Sequence, residues 1–176
     1  MIFAPSKAIE AALRAHNFNC NVVEAPSGDS SAVVTGFDLR SGDAATFHFI
    51  SMSDQNDVAL RAFHFAKGDD AKLSGVVNEL NCKFRYAKFT LHDGEVNLEM
   101  DIPQETTDVG KVAFELLARS LDILADAAPD LKAAGATLQP ASEPAEPAKP
   151  AEPAKPAEPA APPKKGLFGG LFGNGK

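Results

Sequence analysis

The stretch Lys88-Phe89-Thr90-Leu91-His92-Asp93-Gly94-Glu95-Val96-Asn97-Leu98-Glu99-Met100 decides the fold. Asp93-Gly94 is a favoured pair for a two-residue hairpin turn, because both central positions of a type I′ turn need positive φ. Centring the turn there sets Leu91 opposite Val96, Phe89 opposite Leu98 and Ala87 opposite Met100 on one face. Lys88 then meets Glu99, and His92 meets Glu95, on the other. Apolar groups oppose apolar groups and opposite charges oppose each other, so register and face agree.

Working toward the N-terminus, Leu73, Val76, Val77 and Leu80 make an i, i+3, i+4, i+7 stripe, which predicts a helix over Asp70 to Asn81 capped by Asp69 or Asp70. Four strands are expected before it: Cys20 to Ala25, Ala32 to Arg40 with Val33, Thr35, Phe37 and Leu39 on one face, Ala45 to Met52, and Val58 to Phe65. In the last of these Phe63 and Phe65 share one side and His64 takes the other. A first helix, N-capped by Ser6 and stopped by Asn17, carries Ile9, Ala12, Leu13 and His16 at helical spacing. Toward the C-terminus, Pro103 ends the hairpin. Thr107 or Asp108 opens a long helix that buries Val109, Val112, Ala113, Leu116, Leu117, Leu121 and Leu124, and Pro129 is expected to break it, leaving a helical turn to Gly135. The predicted order is α-β-β-β-β-α-β-β-α, an α+β domain with helices packed on one face of an antiparallel sheet.

Composition divides the chain. Of 13 prolines in 176 residues, ten lie between Pro129 and Pro163, where Pro144 to Lys149, Pro150 to Lys155 and Pro156 to Ala161 repeat one six-residue unit. We read residues 1–136 as the domain, 137–163 as a Pro/Ala/Glu/Lys-rich linker and 164–176 as a tail, with the C-terminal extension disordered. The linker has no apolar periodicity to bury and should be a semi-rigid polyproline II spacer; at about 3.1 Å per residue, Pro140 to Pro163 would reach roughly 70 Å. The net charge of −7 argues against a nucleic-acid partner. No apolar run is long enough for a transmembrane helix, and the start has no secretory signal, so a cytoplasmic location is expected.

Val76-Val77-Asn78-Glu79-Leu80-Asn81, Phe84-Arg85-Tyr86-Ala87-Lys88-Phe89 and Asp93-Gly94-Glu95-Val96, in this element order, resemble the bacterial YbjN family over roughly residues 6 to 128. Its members are described as sensory transduction regulators, and its fold is similar to that of type III secretion chaperones. The resemblance implies a homodimer with a protein-binding role, and the family supplies no catalytic residues to carry over.

The chemical motifs are few. His48 and His64 sit in mirrored Phe-His-Phe triplets, but no Cys or carboxylate at ligand spacing completes a metal site, which favours an exposed sheet face. Cys20 and Cys82 lack a Cys-x-x-Cys arrangement and read as ordinary half-buried residues. Asp54-Gln55-Asn56-Asp57 reads as a turn, since it lacks the Gly and distant Glu of a calcium loop. There is no phosphate-binding glycine loop or nucleophile elbow, so neither an enzyme nor a cofactor is expected. Asn81 is most simply a helix C-cap; Asn78 has no assignment.

The tail is unusual for a polar extension. Leu167, Phe168, Leu171 and Phe172 recur in a duplicated Gly-Leu-Phe-Gly next to Lys164 and Lys165. A docking peptide is the favoured reading, with contact at a membrane surface and folding back onto the domain as alternatives. The chain therefore reads as a non-enzymatic adaptor or chaperone-like regulator carrying a docking peptide on a spacer. A small-molecule-sensing regulatory domain is the rival.

Overall fold

The turn at Asp93-Gly94 forms, with φ of 50° and 78°. The computed structural model describes residues 1–141. In it β5 (Lys88–His92) and β6 (Glu95–Ile102) pair Leu91 with Val96, Phe89 with Leu98 and Lys88 with Glu99. Asp69 caps α2 (Asp70–Lys83) by accepting the Lys72 N–H at 3.2 Å, while Asp70 beside it ties the helix to the turn. The Asp70 carboxylate accepts the Gly94 N–H at 2.7 Å, while the Gly94 carbonyl accepts the Gly68 N–H at 2.8 Å, so the turn is fixed to the start of α2.

Four further strands precede the hairpin: β1 (Asn21–Glu24), β2 (Ser31–Asp38), β3 (Ala44–Ser51) and β4 (Val58–Lys67). With β7 (Thr137–Leu138) they make a seven-stranded antiparallel sheet of order β1-β2-β3-β4-β6-β5, in which β7 pairs with β4. With α1 (Ala4–Ala15) and α3 (Val109–Ala133) this is the expected α+β arrangement. Val33, Phe47, Phe49, Leu60, Phe89 and Leu98 from the sheet join Ile9 and Leu13 of α1, Leu73 and Leu80 of α2, and Leu117 and Leu124 of α3 in one core. The α1 and α3 backbones approach closely: a Cβ on Gly110 would lie 3.0 Å from Ala12 Cβ and from the Ala8 carbonyl oxygen.

Several local expectations change. Ser6 does not cap α1. Phe3 holds the N-cap position without a side-chain cap, Pro5 fills the first turn, and the free N–H groups are met from distant segments. Asp54 accepts the Ala4 N–H at 2.9 Å, and Ser31 Oγ accepts the Phe3 N–H at 3.1 Å. Ser6 is instead fully buried, its hydroxyl 2.9 Å from Ser31 Oγ and 3.0 Å from Ser51 Oγ. The stop at Asn17 holds, with φ of 61°.

Pro129 does not break α3, which continues to Ala133. An interior proline costs about 3 kcal/mol, but Leu124, Ala125, Ala127, Ala128 and Leu131 are buried around it, and that packing outweighs the lost hydrogen bond. Asp108 caps this helix by accepting the Lys111 N–H at 2.9 Å. Gly135, at φ 88°, then turns the chain back. Residues 137–141, assigned to the linker by composition, are bound to the sheet: Leu138 pairs with Ala66, the Ala44 N–H donates to the Gln139 carbonyl, and the Ala141 N–H donates to the Gly42 carbonyl.

Candidate functional site: the open face of the sheet

In β2, β3 and the first half of β4, one strand face is largely apolar and the other sets Ala32, Val34, Ile50 and Ala59 among Thr46, His48 and Arg61. One set of alternating residues is buried under the helices; the other lies on the opposite face. The pairing register aligns that second set into rows. Val23, Ala32, Ile50 and Ala59 stand side by side across four strands, and Asp101 follows on β6. At about 4.8 Å per strand the apolar part spans about 14 Å. Asn21, Val34, His48, Arg61, Glu99 and Lys88 form the next row. At the ends of the patch Met52 is 71% exposed, Val23 48% and Phe63 40%, while Ala32, Val34, Ile50 and Ala59 are half-buried by their neighbours. A contiguous apolar patch of this kind, rimmed by charge, marks a contact surface.

Arg61 fixes the rim. Its Nη1 donates to the Leu60 carbonyl at 2.9 Å, the Met100 carbonyl at 2.7 Å and Asp101 Oδ1 at 2.8 Å, so the guanidinium lies against the sheet. Beside it, Ile50, Met52, Ala59 and Arg61 line a shallow cleft of about 270 Å³ whose other wall carries Gln55, Asp57 and Asp101.

The two histidines are both on this sheet, though they differ in setting. His48 is half-buried against Phe63, with ring centroids 5.3 Å apart, and its Nδ1 has no hydrogen-bond partner. Burial holds its pKa below the ordinary imidazole value, and the neighbouring His64 charge pushes the same way, against the opposing effect of a hydrogen bond that the ring donates to the Arg61 backbone. His64 sits on a bulge, at φ 54°, where β4 holds three residues between Ala62 and Ala66 against one in β6. Its N–H donates to Asn97 Oδ1 at 2.8 Å, and its Nδ1 lies 2.5 Å from Glu95 Oε2. That hydrogen bond, reinforced by Lys67, lowers the Glu95 carboxyl against the opposing effect of burial. The bulge also separates Phe63 from Phe65: strict alternation puts them on one side, but Phe63 is exposed and Phe65 is 3% exposed in the core.

Among the described residues no cluster of three His, Cys, Asp or Glu side chains is placed to hold a metal. Cys20 is buried, which raises its thiol pKa, and Cys82 is exposed, so neither is half-buried as expected. Asn81 is not a C-cap. The helix runs past it to Lys83, with Phe84 as cap residue, and the Asn81 amide reaches the outer edge of β5. There Nδ2 donates to the Phe89 carbonyl at 2.9 Å while Oδ1 accepts the Phe89 N–H at 2.7 Å. Only the register could have signalled this, because Phe89 is paired so that its own polar groups point away from β6. Asn78 is exposed on α2. The tail residues Leu167, Phe168, Leu171, Phe172, Lys164 and Lys165 lie outside the described residues. No described helix is long and apolar enough to cross a membrane.

The sequence profile of the family YbjN, described as "Putative bacterial sensory transduction regulator", matches residues 5–134. No curated protein and no solved structure matches the chain.

Proposed function

The chain belongs to the YbjN family, and from that premise we propose that it is a non-enzymatic regulator that binds a protein partner through the open face of its sheet. The observation that carries this reading is the Val23, Ala32, Ile50, Ala59 row: apolar side chains aligned across four strands on the face opposite the helices, bordered by the pinned Arg61 and Asp101. Burying such a row against a partner removes apolar area from water at about 25 cal/mol per Å². Its charged border would set orientation. A second copy of the chain is one partner in this reading, and light scattering on the full chain would then report twice the monomer mass. In the same reading the Gly-Leu-Phe-Gly tail is a docking peptide; its lysines also favour contact with an anionic membrane surface as a second destination.

The test is capture of partners from lysate with three baits: the full chain, a chain ending at Pro163, and the full chain carrying Val34→Thr with Ile50→Thr. Threonine keeps the β-branched shape that suits a strand while removing the apolar surface. The proposal expects the double variant to fold and to lose the partners that the Pro163 truncation keeps. Retention of every partner by the folded double variant would refute the sheet face as the binding surface.

A further inference from the structure

On the helical side of the molecule, the connection between α2 and β5 meets α3 in a cleft of about 300 Å³. Its floor is apolar, made by Phe84, Met100 and Ile123. Tyr86 stands at its mouth, 71% exposed, with the Arg119 guanidinium 6.0 Å from its ring centroid. Lys83 lies over the neighbouring Phe84 ring at 5.1 Å. Lys83, Arg85 and Arg119 are exposed and have no carboxylate partner among the described residues. The carboxylates on the wall, Asp122 and Asp126, are already engaged: Arg40 binds both, Asp126 at 2.6 Å. Residues 1–139 carry 12 Lys and Arg against 20 Asp and Glu. A concentration of unpaired cations around an exposed tyrosine therefore runs against the charge of the whole domain.

We propose that this cleft binds an acidic peptide segment of a partner protein. One apolar side chain of that segment seats on Phe84, Met100 and Ile123 beside the Tyr86 ring, and flanking carboxylates face Arg85, Arg119 and Lys83. Tyrosine and arginine together are the side chains that carry most binding energy at protein interfaces, and guanidinium forks suit carboxylates. Charge complementarity selects the occupant: a basic segment would meet the three free cations, and a neutral one would leave them unanswered. The cleft is separate from the open sheet face, so the inference stands or falls independently of that reading.

The experiment uses the full chain and three end-labelled decapeptides, each with a central Leu-Phe pair flanked by glutamates, glutamines or lysines. Fluorescence anisotropy should show binding of the glutamate peptide alone, weakening as salt shortens the screening length from about 10 Å at 0.1 M to about 3 Å at 1 M. Arg85→Glu with Arg119→Glu should weaken it by roughly tenfold or more, and Tyr86→Ala should weaken it as well. Each position is exposed, so the melting temperature should hold. Val34→Thr with Ile50→Thr should leave this binding unchanged. Equal binding of the glutamine or lysine peptide, no binding of any peptide, or full affinity in the folded Arg85 and Arg119 variant would overturn the proposal.

Discussion

Replacing Asn81 with Ala removes two hydrogen bonds that close the outer edge of the sheet, at 2.7 Å and 2.9 Å to the N–H and C=O of Phe89. A neutral hydrogen bond contributes about 0.5–1.5 kcal/mol net. Asn81 is exposed and its bonds to Phe89 are part-buried, so water partly replaces the amide and the loss falls to about 1–2 kcal/mol in total. For a domain of this length that corresponds to a fall in Tm of roughly 3–7 °C. Urea denaturation should show a lower midpoint at unchanged slope, since little buried surface changes. The Phe89 amide should also exchange faster, because among the described residues Asn81 is the partner of its N–H and C=O on that edge. Asn81→Asp sharpens the reasoning. Its carboxylate still accepts the Phe89 N–H but opposes the Phe89 carbonyl, so the variant should be as weak as Asn81→Ala at neutral pH and recover in acid, where the protonated carboxyl donates again. If Asn81→Ala melts with the parent and Phe89 exchange is unaltered, the amide is not what holds the edge.

Gly94→Ala would force φ 78° on a residue with a Cβ and place that Cβ 2.5 Å from the Gly68 carbonyl oxygen; a loss of more than about 2 kcal/mol is expected by urea titration, and a variant as stable as the parent would show that the turn shifts freely. Burial lowers the folded-state pKa of His48, so as pH falls through about 6.5 the unfolded chain takes up a proton first and stability drops, fully present only above that value. Denaturant midpoints across pH 5–8 (roughly the imidazole range) should therefore slope upward in the parent and less in His48→Gln; the same slope in both would locate the effect elsewhere, whereas Glu95, whose lowered carboxyl acts near the acid range, affects only lower pH. Changing Leu167, Phe168, Leu171 and Phe172 together to Ser should leave the domain's Tm unchanged and abolish recruitment, while Lys164→Glu with Lys165→Glu should chiefly reduce anionic-membrane binding; recruitment of the four-Ser variant at parental level would end the docking-peptide reading.

Much of this molecule is local in origin and so was legible in the chain. The hairpin register follows from one dipeptide and from period-two alternation on both sides of it, the second and third helices follow from stripes started by Asp69 and Asp108, and the first stops at Asn17 because of its own backbone. What escaped depends on partners far away in sequence. Ser6 looks like a cap until Ser31 and Ser51 are brought to it, and Asp54 caps a helix some fifty residues earlier. Pro129 looks like a break until the core is packed around Leu124 and Leu131. Phe63 and Phe65 have the same parity, and only the bulge opposite Asn97 parts them. The candidate site belongs to the same class: Val23, Ala32, Ile50 and Ala59 are unremarkable one by one, and they become a surface only when four strands set them abreast while every helix packs on the other side. Composition and periodicity report what each residue prefers with its neighbours in sequence; which face is left open depends on how the elements cover one another, and that is decided when they pack.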